Sequence, residues 1–290
     1  MVQARKGPKR DGGRKRAARH ASSPPGAPGG LDAVFGVHAV RALLSRGEVP
    51  RALWVQEGEA QQRLAELVDA ARQGGARVEA QPREELDRLA QGAAHQGIVA
   101  FAAPLAFENE AALWFKLEAW PHEAPPLLLV LDGVTDVHNF GACLRSADAA
   151  GVHGVIVPKD KSAPLNATVR KVACGAAESV PVYQVTNLAR ALARLKACGV
   201  WITGTAGEAE TLLFDADFGG ATALVMGAEG KGMRRLTREA CDGLVKLPMA
   251  GSVTSLNVSV ATGICLFEAV RQRREGVTCP GDLASGAADH

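Results

Sequence analysis

The sequence has little of what membrane proteins, disulfide-stabilised proteins and metal-binding domains require. No apolar run reaches about 18 residues, so a transmembrane helix is not expected. The basic N-terminus lacks the apolar segment of a signal peptide, which favours a cytoplasmic location. The cysteines form no C-x-x-C pair and no zinc-like spacing with histidine, so we expect no bound metal. We expect all six to be free thiols in a reducing compartment: Cys143, Cys174, Cys198, Cys241, Cys265 and Cys279.

Two nucleotide-binding motifs are also missing. No G-x-G-x-x-G follows a first strand, and no G-K-[ST] marks a phosphate-binding loop. A Rossmann dinucleotide fold is therefore disfavoured, as is the Rossmann type of methyltransferase, which carries its glycine loop after the first strand. A dinucleotide-dependent enzyme remains only a remote alternative.

Charge is distributed unevenly along the 290 residues. The chain has 33 basic and 31 acidic residues, of which eight basic and one acidic lie in residues 1–20, leaving 25 against 30 in the remainder. Residues 1–30 have almost nothing to bury and should be disordered, as should the tail 276–290. The basic tail is either a nonspecific phosphate-binding arm or a solvated extension, and the sequence leaves both readings open.

The length suggests about two domains. Short helices and strands alternate over residues 31–104, which form a compact unit, with strands expected at Ala52–Val55, Arg77–Ala80 and Ile98–Ala102 and helices at Ala39–Leu44, Ala60–Arg72 and Arg83–Leu89. Residues 105–126 look like a linker with a helical segment. Its tryptophans, Trp114 and Trp120, are more typical of anchors than of base-stacking groups.

Residues 127–275 form a larger α/β unit. Apolar strands are expected at Leu127–Leu131, Val155–Val157, Val182–Val185, Val200–Thr203, Ala223–Met226 and Val245–Leu247. The helices between and after them are expected at Ala142–Ala150, Asn166–Cys174, Leu188–Ala197 and Ser255–Arg273. This alternation predicts a parallel sheet covered on both faces, whose ligands gather at the carboxyl ends of the strands.

The first unusual segment follows the strand that ends at Leu131. We expect Gly141 to turn the backbone tightly into a helix, with Asn139 just before the turn and Arg145 on the first helical turn. A cation at the positive end of a helix is poorly placed unless it serves a phosphate or carboxylate. A surface arginine beside a capping asparagine explains the same pattern.

The second segment, Val225–Met233, runs from a buried strand into three glycines around Glu229. Glycines after Gly227 would let a flat ligand approach the main chain, although a tight structural turn would look the same. The third segment, Leu247–Ala261, leaves a strand at Pro248 and enters a helix near Ser255. N-capping explains one polar residue there but not Asn257 as well.

Together, these segments resemble the signature of the SpoU (TrmH-type) branch of the SPOUT RNA methyltransferases. The matching motifs are Asn139-x-Gly141-x-x-x-Arg145, Gly227-Ala228-Glu229-Gly230, and Leu247-Pro248-Met249 followed by Ser255-Leu256-Asn257. Ala228 departs from the asparagine of many members. Residues 31–104 resemble the small L30e-like RNA-binding domain of the family, and the likeness covers about residues 31–274.

The resemblance implies a trefoil knot in the catalytic domain, S-adenosylmethionine as cofactor, and a homodimer with sites built across the interface. It implies cofactor contacts at Gly207, Gly227, Leu247, Met249 and Leu256. Catalytic roles fall to Asn139, Arg145, Glu229, Ser255 and Asn257. The family assigns the base to Arg145. Because a guanidinium is almost always protonated, we instead expect it to bind phosphate and stabilise developing negative charge, while a phosphate oxygen or Glu229 takes the proton.

The expected activity is methylation of a guanosine ribose 2′-oxygen in 23S ribosomal RNA, either as naked RNA or within a large-subunit assembly intermediate. Transfer RNA or another ribosomal site is an alternative, because the motifs serve the cofactor and ribose rather than the base. A noncatalytic RNA-binding or ribosome-assembly factor is a further alternative, disfavoured by the intact motif residues.

Overall fold

The computed structural model describes residues 30–58, 62–92, 94–121 and 125–275. The basic and C-terminal tails predicted from the sequence lie outside this part, apart from Gly30. Within these described residues, two sheets organise the structure, one of four strands and one of eight. Among the described residues, no helix combines the length and apolarity needed to cross a membrane.

The four-stranded sheet lies in the N-terminal unit and has the strand order β1-β4-β2-β3. Its central strand β4 is buried throughout, and β1 is a short strand that the sequence analysis did not predict. The elements are β1 Asp32–Phe35, α1 Val37–Ser45, β2 Ala52–Gln56, α2 Ala65–Gln73, β3 Arg77–Gln81, α3 Arg83–Ala90 and β4 Ile98–Ala102.

The eight-stranded sheet has the order β10-β12-β9-β11-β6-β7-β8-β5, and each neighbouring pair is parallel. The predicted parallel α/β sheet is thus confirmed. Its strands are β5 Glu108–Asn109, β6 Leu127–Asp132, β7 Gly154–Pro158, β8 Val182–Val185, β9 Trp201–Thr205, β10 Thr211–Leu212, β11 Thr222–Gly227 and β12 Gly243–Lys246. Its helices are α4 Glu110–Glu118, α5 Val137–Ala149, α6 Ala167–Ala173, α7 Ala176–Ser179, α8 Leu188–Ala197, α9 Arg235–Glu239 and α10 Val258–Glu275.

Strand β6 explains why both faces of this sheet are covered. Successive side chains of a strand point to opposite faces, so Leu129 and Leu131 pack into the core under α5 and α10, while Leu128 and Val130 pack into the core under α4 and α8. Each such fully buried side chain contributes about 1.5–3 kcal/mol. An unbroken apolar strand is what burial on two faces requires.

The segment expected to be a linker, residues 105–126, supplies part of the large sheet. Strand β5 pairs with β8, and α4 buries Leu113 and Trp114 in the core beneath it. Trp120 meets the ring of His153 edge-on, with centroids 4.5 Å apart. Both tryptophans thus anchor the segment on the sheet, as expected, while its edge strand is a feature that the sequence analysis missed.

Two helix starts near the predicted site residues differ from the sequence predictions. Helix α5 begins at Val137 and not near Gly141, because Asp136 caps it by accepting from the Asn139 N–H at 2.8 Å. Gly141 is therefore helical and forms no turn, and Arg145 stands on the third turn rather than the first. A Cβ on Gly141 would lie 2.8 Å from that of Val172, so glycine here permits close packing against α6.

Helix α10 begins at Val258, three residues later than expected. It turns Val258, Cys265, Leu266 and Ala269 into the core. Ser255 and Asn257 consequently lie in the loop that leads into the helix, outside its first turn.

Candidate active site

Parallel strands place their carboxyl ends at one edge of the sheet. There, the segments after β9, β11 and β12 surround a cleft of about 810 Å³ together with the loop before α10. Eight of the ten predicted site residues line it: Gly207, Gly227, Glu229, Leu247, Met249, Ser255, Leu256 and Asn257. The remaining two, Asn139 and Arg145, lie on α5.

The glycine-rich turn after β11 folds tightly back on itself. Ala228 and Gly232 exchange two backbone hydrogen bonds of 3.1 and 2.8 Å. A Cβ on Gly227 would lie 2.3 Å from backbone atoms of Gly232 and Met233, so only glycine fits there. The turn also uses positive φ angles at Gly230 and Gly232, where L side chains are strained. The turn is therefore tight, and its residues line the cleft.

Asn139, Glu229 and Asn257 meet in space, although they belong to three distant segments. The Asn257 Nδ2 donates to Glu229 Oε1 at 2.6 Å and to Asn139 Oδ1 at 2.9 Å. Glu229 Oε1 also accepts from the Val258 N–H, at 3.3 Å, where α10 begins. A carboxylate at the positive end of a helix is favourably placed, so Glu229 secures both the loop and the helix start.

The other amide atom of Asn257 explains why an asparagine follows Ser255 so closely. Asn257 Oδ1 accepts from the N–H and the hydroxyl of Ser259, at 2.9 and 2.6 Å. Both ends of the amide are engaged, so Asn257 organises the loop. Ser255 is exposed on the cleft wall and forms no hydrogen bond with any described residue.

Arg145 lies apart from this cluster. It is exposed on α5, six residues beyond Asn139, and it lines a groove between the two units rather than the cleft. It has no hydrogen bond or ion pair within the described part of the chain. The structure of one chain thus brings Asn139, Glu229 and Asn257 together but does not bring Arg145 to them.

Sequence reasoning missed an ion pair between a buried aspartate and a partly exposed arginine behind the glycine-rich turn. Asp132, 1% exposed, ends β6 opposite Gly227 in the neighbouring strand. Its carboxylate accepts from the Arg234 backbone N–H at 2.8 Å and from Nε at 2.6 Å. The pair ties the end of the turn to the sheet. The available signal was an acidic residue at the end of an otherwise apolar strand.

The buried thiol of Cys143, on α5, offers no nucleophile. Cys143 Sγ lies 3.5 Å from the Thr262 hydroxyl, and burial raises the pKa of its thiol to about 11. A protonated thiol is a poor nucleophile. In the part of the chain that is described, no group of three or more His, Cys, Asp or Glu side chains is arranged to hold a metal ion.

Two family descriptions match the two units. Residues 126–267 match the SpoU rRNA Methylase family, and residues 33–108 match the RNA 2′-O ribose methyltransferase substrate binding family. A 23S rRNA (guanosine-2′-O-)-methyltransferase, RlmB, of Pseudomonas aeruginosa is 59% identical over 241 residues, covering 83% of this chain and 96% of that protein. The protein of the same name from Escherichia coli K12 is 56% identical over 241 residues, covering 83% and 98%.

Solved structures share this architecture. The SpoU methyltransferase AviRb from Streptomyces viridochromogenes superimposes with a TM-score of 0.67 at 28% identity, covering 85% of this chain and 91% of that one. Its complex with the cofactor AdoMet gives 0.66 at 27% identity, covering 84% and 91%. On the strength of these matches, the chain belongs to the SpoU rRNA methylase family.

Proposed function

We propose that this protein transfers a methyl group from S-adenosylmethionine to the ribose 2′-oxygen of a guanosine in 23S ribosomal RNA. The observation that carries the proposal is the meeting of Asn139, Glu229 and Asn257 beside a cleft lined by eight of the expected site residues. The RlmB relatives, at 56–59% identity over more than four-fifths of the chain, support the substrate and the position that is methylated.

The cleft suits S-adenosylmethionine in shape and chemistry. Its glycine-rich wall exposes backbone groups, and the close approach at Gly227 leaves no room for a side chain. Main-chain groups at Gly207, Gly227, Leu247 and Leu256, with the Met249 side chain, would hold the adenine and methionine portions. When bound, the cofactor supplies an electrophilic methyl group. The AdoMet complex of AviRb, a structural relative, supports this assignment.

The remaining task of the protein is to align a weak nucleophile. A ribose hydroxyl reacts only when it is held within about 3–3.5 Å of the electrophilic methyl carbon and loses its proton. Asn139, Ser255 and Asn257 orient the ribose and its loop. Arg145 binds the adjoining phosphate and stabilises negative charge on the 2′-oxygen. Glu229 Oε1 already holds Asn257 and Val258, which favours a positioning role and leaves the proton to a phosphate oxygen.

The working unit that we propose is a homodimer with a knotted catalytic domain. Arg145 does not reach the cleft of its own chain, so a partner subunit would bring the two together. Helix α10 exposes apolar surface, with Val260 51% and Phe267 50% exposed, and Val253 in the preceding loop is 60% exposed. Large exposed apolar side chains on one helix and the loop before it make this region a candidate subunit interface.

We assign substrate RNA binding to residues 31–104 and catalysis to residues 127–275, joined by residues 105–126. The protein would act in the cytoplasm on 23S ribosomal RNA or on a large-subunit assembly intermediate. The match of residues 33–108 to a substrate-binding family supports this division of labour.

Tritiated methyl transfer from S-adenosylmethionine tests the proposal. Unmodified 23S ribosomal RNA should be labelled, whereas unmodified transfer RNA should not. Labelling of transfer RNA instead would show that the substrate is transfer RNA, although the methyl-transfer reaction would be as proposed. Absence of both labelling and calorimetric binding of S-adenosylmethionine would indicate a noncatalytic RNA-binding factor.

A further inference from the structure

A groove of about 1210 Å³ separates the N-terminal unit from the catalytic unit. Exposed side chains of His38 and Gln96 line it on the N-terminal side. The opposite wall carries exposed His138 and Arg145 on α5, together with Lys171 on α6. The groove is distinct from the cleft assigned to the cofactor, and of the motif residues with proposed roles only Arg145 lines it.

A buried ion pair fixes the spacing of the two walls. The Arg170 guanidinium, on α6, donates through Nε to Glu178. Its Nη1 reaches across to the N-terminal unit, where it donates to Asp32 Oδ2 at 3.3 Å and to the Ala103 carbonyl at 3.1 Å. In return, Arg46 Nη1 donates to the Glu178 carbonyl at 3.0 Å. The two units are thus connected by charged groups in both directions.

Close packing reinforces this connection. A Cβ on Gly175 would lie 3.0–3.2 Å from atoms of Ala39 on α1, and Gly175 has a φ of +100°. Lys171 Nζ donates to the Gln91 carbonyl at 3.0 Å, which bridges the groove at one point. A groove whose walls are already held in place binds a ligand at a lower ordering cost than one that must close around it.

The charge of the groove points to a polyanion. Beyond residue 20 the chain has more acidic than basic residues, so affinity for an anion must come from a local patch. Of the described residues that line the groove, one is acidic, Asp148, and it accepts from the Ser179 hydroxyl. Arg145 projects into the same groove without a protein partner. Guanidinium and ammonium groups bind phosphates, while exposed amide and imidazole groups suit unpaired base edges.

We propose that this interdomain groove binds the single-stranded RNA segment that adjoins the target nucleoside. The inference rests on the proposed function, because the same Arg145 that serves the reacting nucleotide forms one wall of the groove. Bound there, the strand contacts the substrate-binding unit and the catalytic helix α5 at once. Binding of the RNA strand by the N-terminal unit thereby also positions the ribose at the catalytic unit.

Two native cysteines provide a matched pair of reporters. Cys174 is exposed and lines the groove, whereas Cys198 is exposed at the end of α8 and does not line it. Burial raises the pKa of the Cys143, Cys241 and Cys265 thiols to about 11, 11 and 12, so these should react slowly. Peptide mapping separates them from Cys279.

The test is alkylation of the full-length protein by N-ethylmaleimide, with and without unmodified 23S ribosomal RNA. At RNA concentrations about ten times Kd, about nine-tenths of the protein is bound, so the rate at Cys174 should fall about tenfold. The rate at Cys198 should stay unchanged. S-adenosylmethionine alone should protect neither. Equal rates at Cys174 with and without saturating RNA, or equal protection of both cysteines, would overturn the proposal.

A substitution gives an independent readout. The slope of log K for RNA binding against log salt is negative, and Lys171→Ala should reduce its magnitude by about 1, as expected for one lost phosphate contact. Arg190→Ala, an exposed change on α8 outside the groove, should leave the slope unchanged. An unchanged slope in Lys171→Ala contradicts the proposal. Methyl transfer without protection of Cys174 would contradict RNA binding in the groove but support the proposed activity. Protection of Cys174 without methyl transfer would support RNA binding in the groove but contradict the proposed activity.

Discussion

Asn257 donates to Glu229 Oε1 at 2.6 Å, across 28 residues of sequence. The same amide nitrogen donates to Asn139, which lies 118 residues before Asn257 in the sequence. One side chain thus joins the ends of three segments that the sequence presents separately. The geometry of the proposed ribose site depends on this junction.

Glu229 should act by holding this junction and not by removing a proton. Glu229→Gln keeps an oxygen that can accept from Asn257 and Val258, so it should retain kcat/KM within about tenfold. Glu229→Ala removes a charge-assisted acceptor that contributes about 1.5 kcal/mol, which corresponds to a loss of at least about tenfold beyond the Gln variant. Steady-state methylation kinetics compare them. An inactive Gln variant with normal S-adenosylmethionine affinity would instead identify Glu229 as the base.

Gly227→Ala should disrupt the cleft. Its Cβ would lie 2.3 Å from the backbone of the returning turn, which side-chain movement cannot relieve. We expect loss of measurable S-adenosylmethionine binding by calorimetry. Gly220→Ala is the matched control, since its Cβ meets nothing within 4 Å, and it should bind normally. Normal binding by Gly227→Ala would show that the turn does not form the cofactor wall.

The sequence predicts the large sheet well because a strand buried on both faces is apolar without interruption. It fails where local signals mislead. Gly141 looks like a turn residue, yet Asp136 caps α5 five residues earlier and Gly141 serves packing against Val172. Strand β5 has only two residues, Glu108 and Asn109, and its pairing with β8 is a long-range event that no local pattern indicates.

The sequence predicts which residues could form the candidate site but not how they are arranged in space. The motifs place Asn139, Glu229 and Asn257 at strand and helix ends, where parallel topology gathers them. Their mutual hydrogen bonds depend on the approach of segments that lie 28 and 118 residues apart in the sequence. The same limit applies to Arg170, since no local pattern in the sequence indicates that its side chain is buried between Asp32 and Glu178.

Arg145→Lys should lower kcat by about 10²–10³-fold, the range expected when one donor to a developing oxyanion is lost. Lysine keeps the charge but lacks the planar fork that binds phosphate at two points. Affinity for S-adenosylmethionine should stay within about twofold, because Arg145 lies outside the cofactor cleft. Single-turnover methylation and calorimetry separate these effects. Full turnover at neutral pH would exclude both arginine roles.

Arg170→Ala should destabilise the protein by about 3–5 kcal/mol, because it leaves the Glu178 carboxylate buried without its partner. Burial by itself already raises the pKa of Glu178. Denaturant unfolding followed by circular dichroism measures the change. The exposed pair Arg235 and Glu239 provides the control, and Arg235→Ala should change stability by at most about 1 kcal/mol. Equal effects of the two substitutions would contradict the buried connection.

His153 should make folding sensitive to mild acid. Burial lowers the pKa of its imidazole below 6.5, and its Nδ1 accepts from the Leu127 N–H at 3.0 Å, which a protonated ring cannot do. As the pH falls, the imidazole of the unfolded chain takes up a proton before that of the folded protein. The stability that neutral His153 contributes is therefore complete above pH 6.5 and is lost as the pH falls through the lower pKa of the folded protein. Tm should therefore fall more between about pH 8 and pH 5.5 in the native protein than in His153→Gln. An equal decrease in Tm in the two proteins would show that His153 does not cause the acid sensitivity.

The central claim is that three converging segments hold S-adenosylmethionine beside a guanosine ribose. Mass spectrometry of nucleosides from unmodified 23S ribosomal RNA, incubated with the protein and S-adenosylmethionine, tests this most directly. The account predicts 2′-O-methylguanosine, at one position that resists alkaline cleavage. A methyl group on a base, or no methyl group despite bound cofactor and RNA, would contradict it.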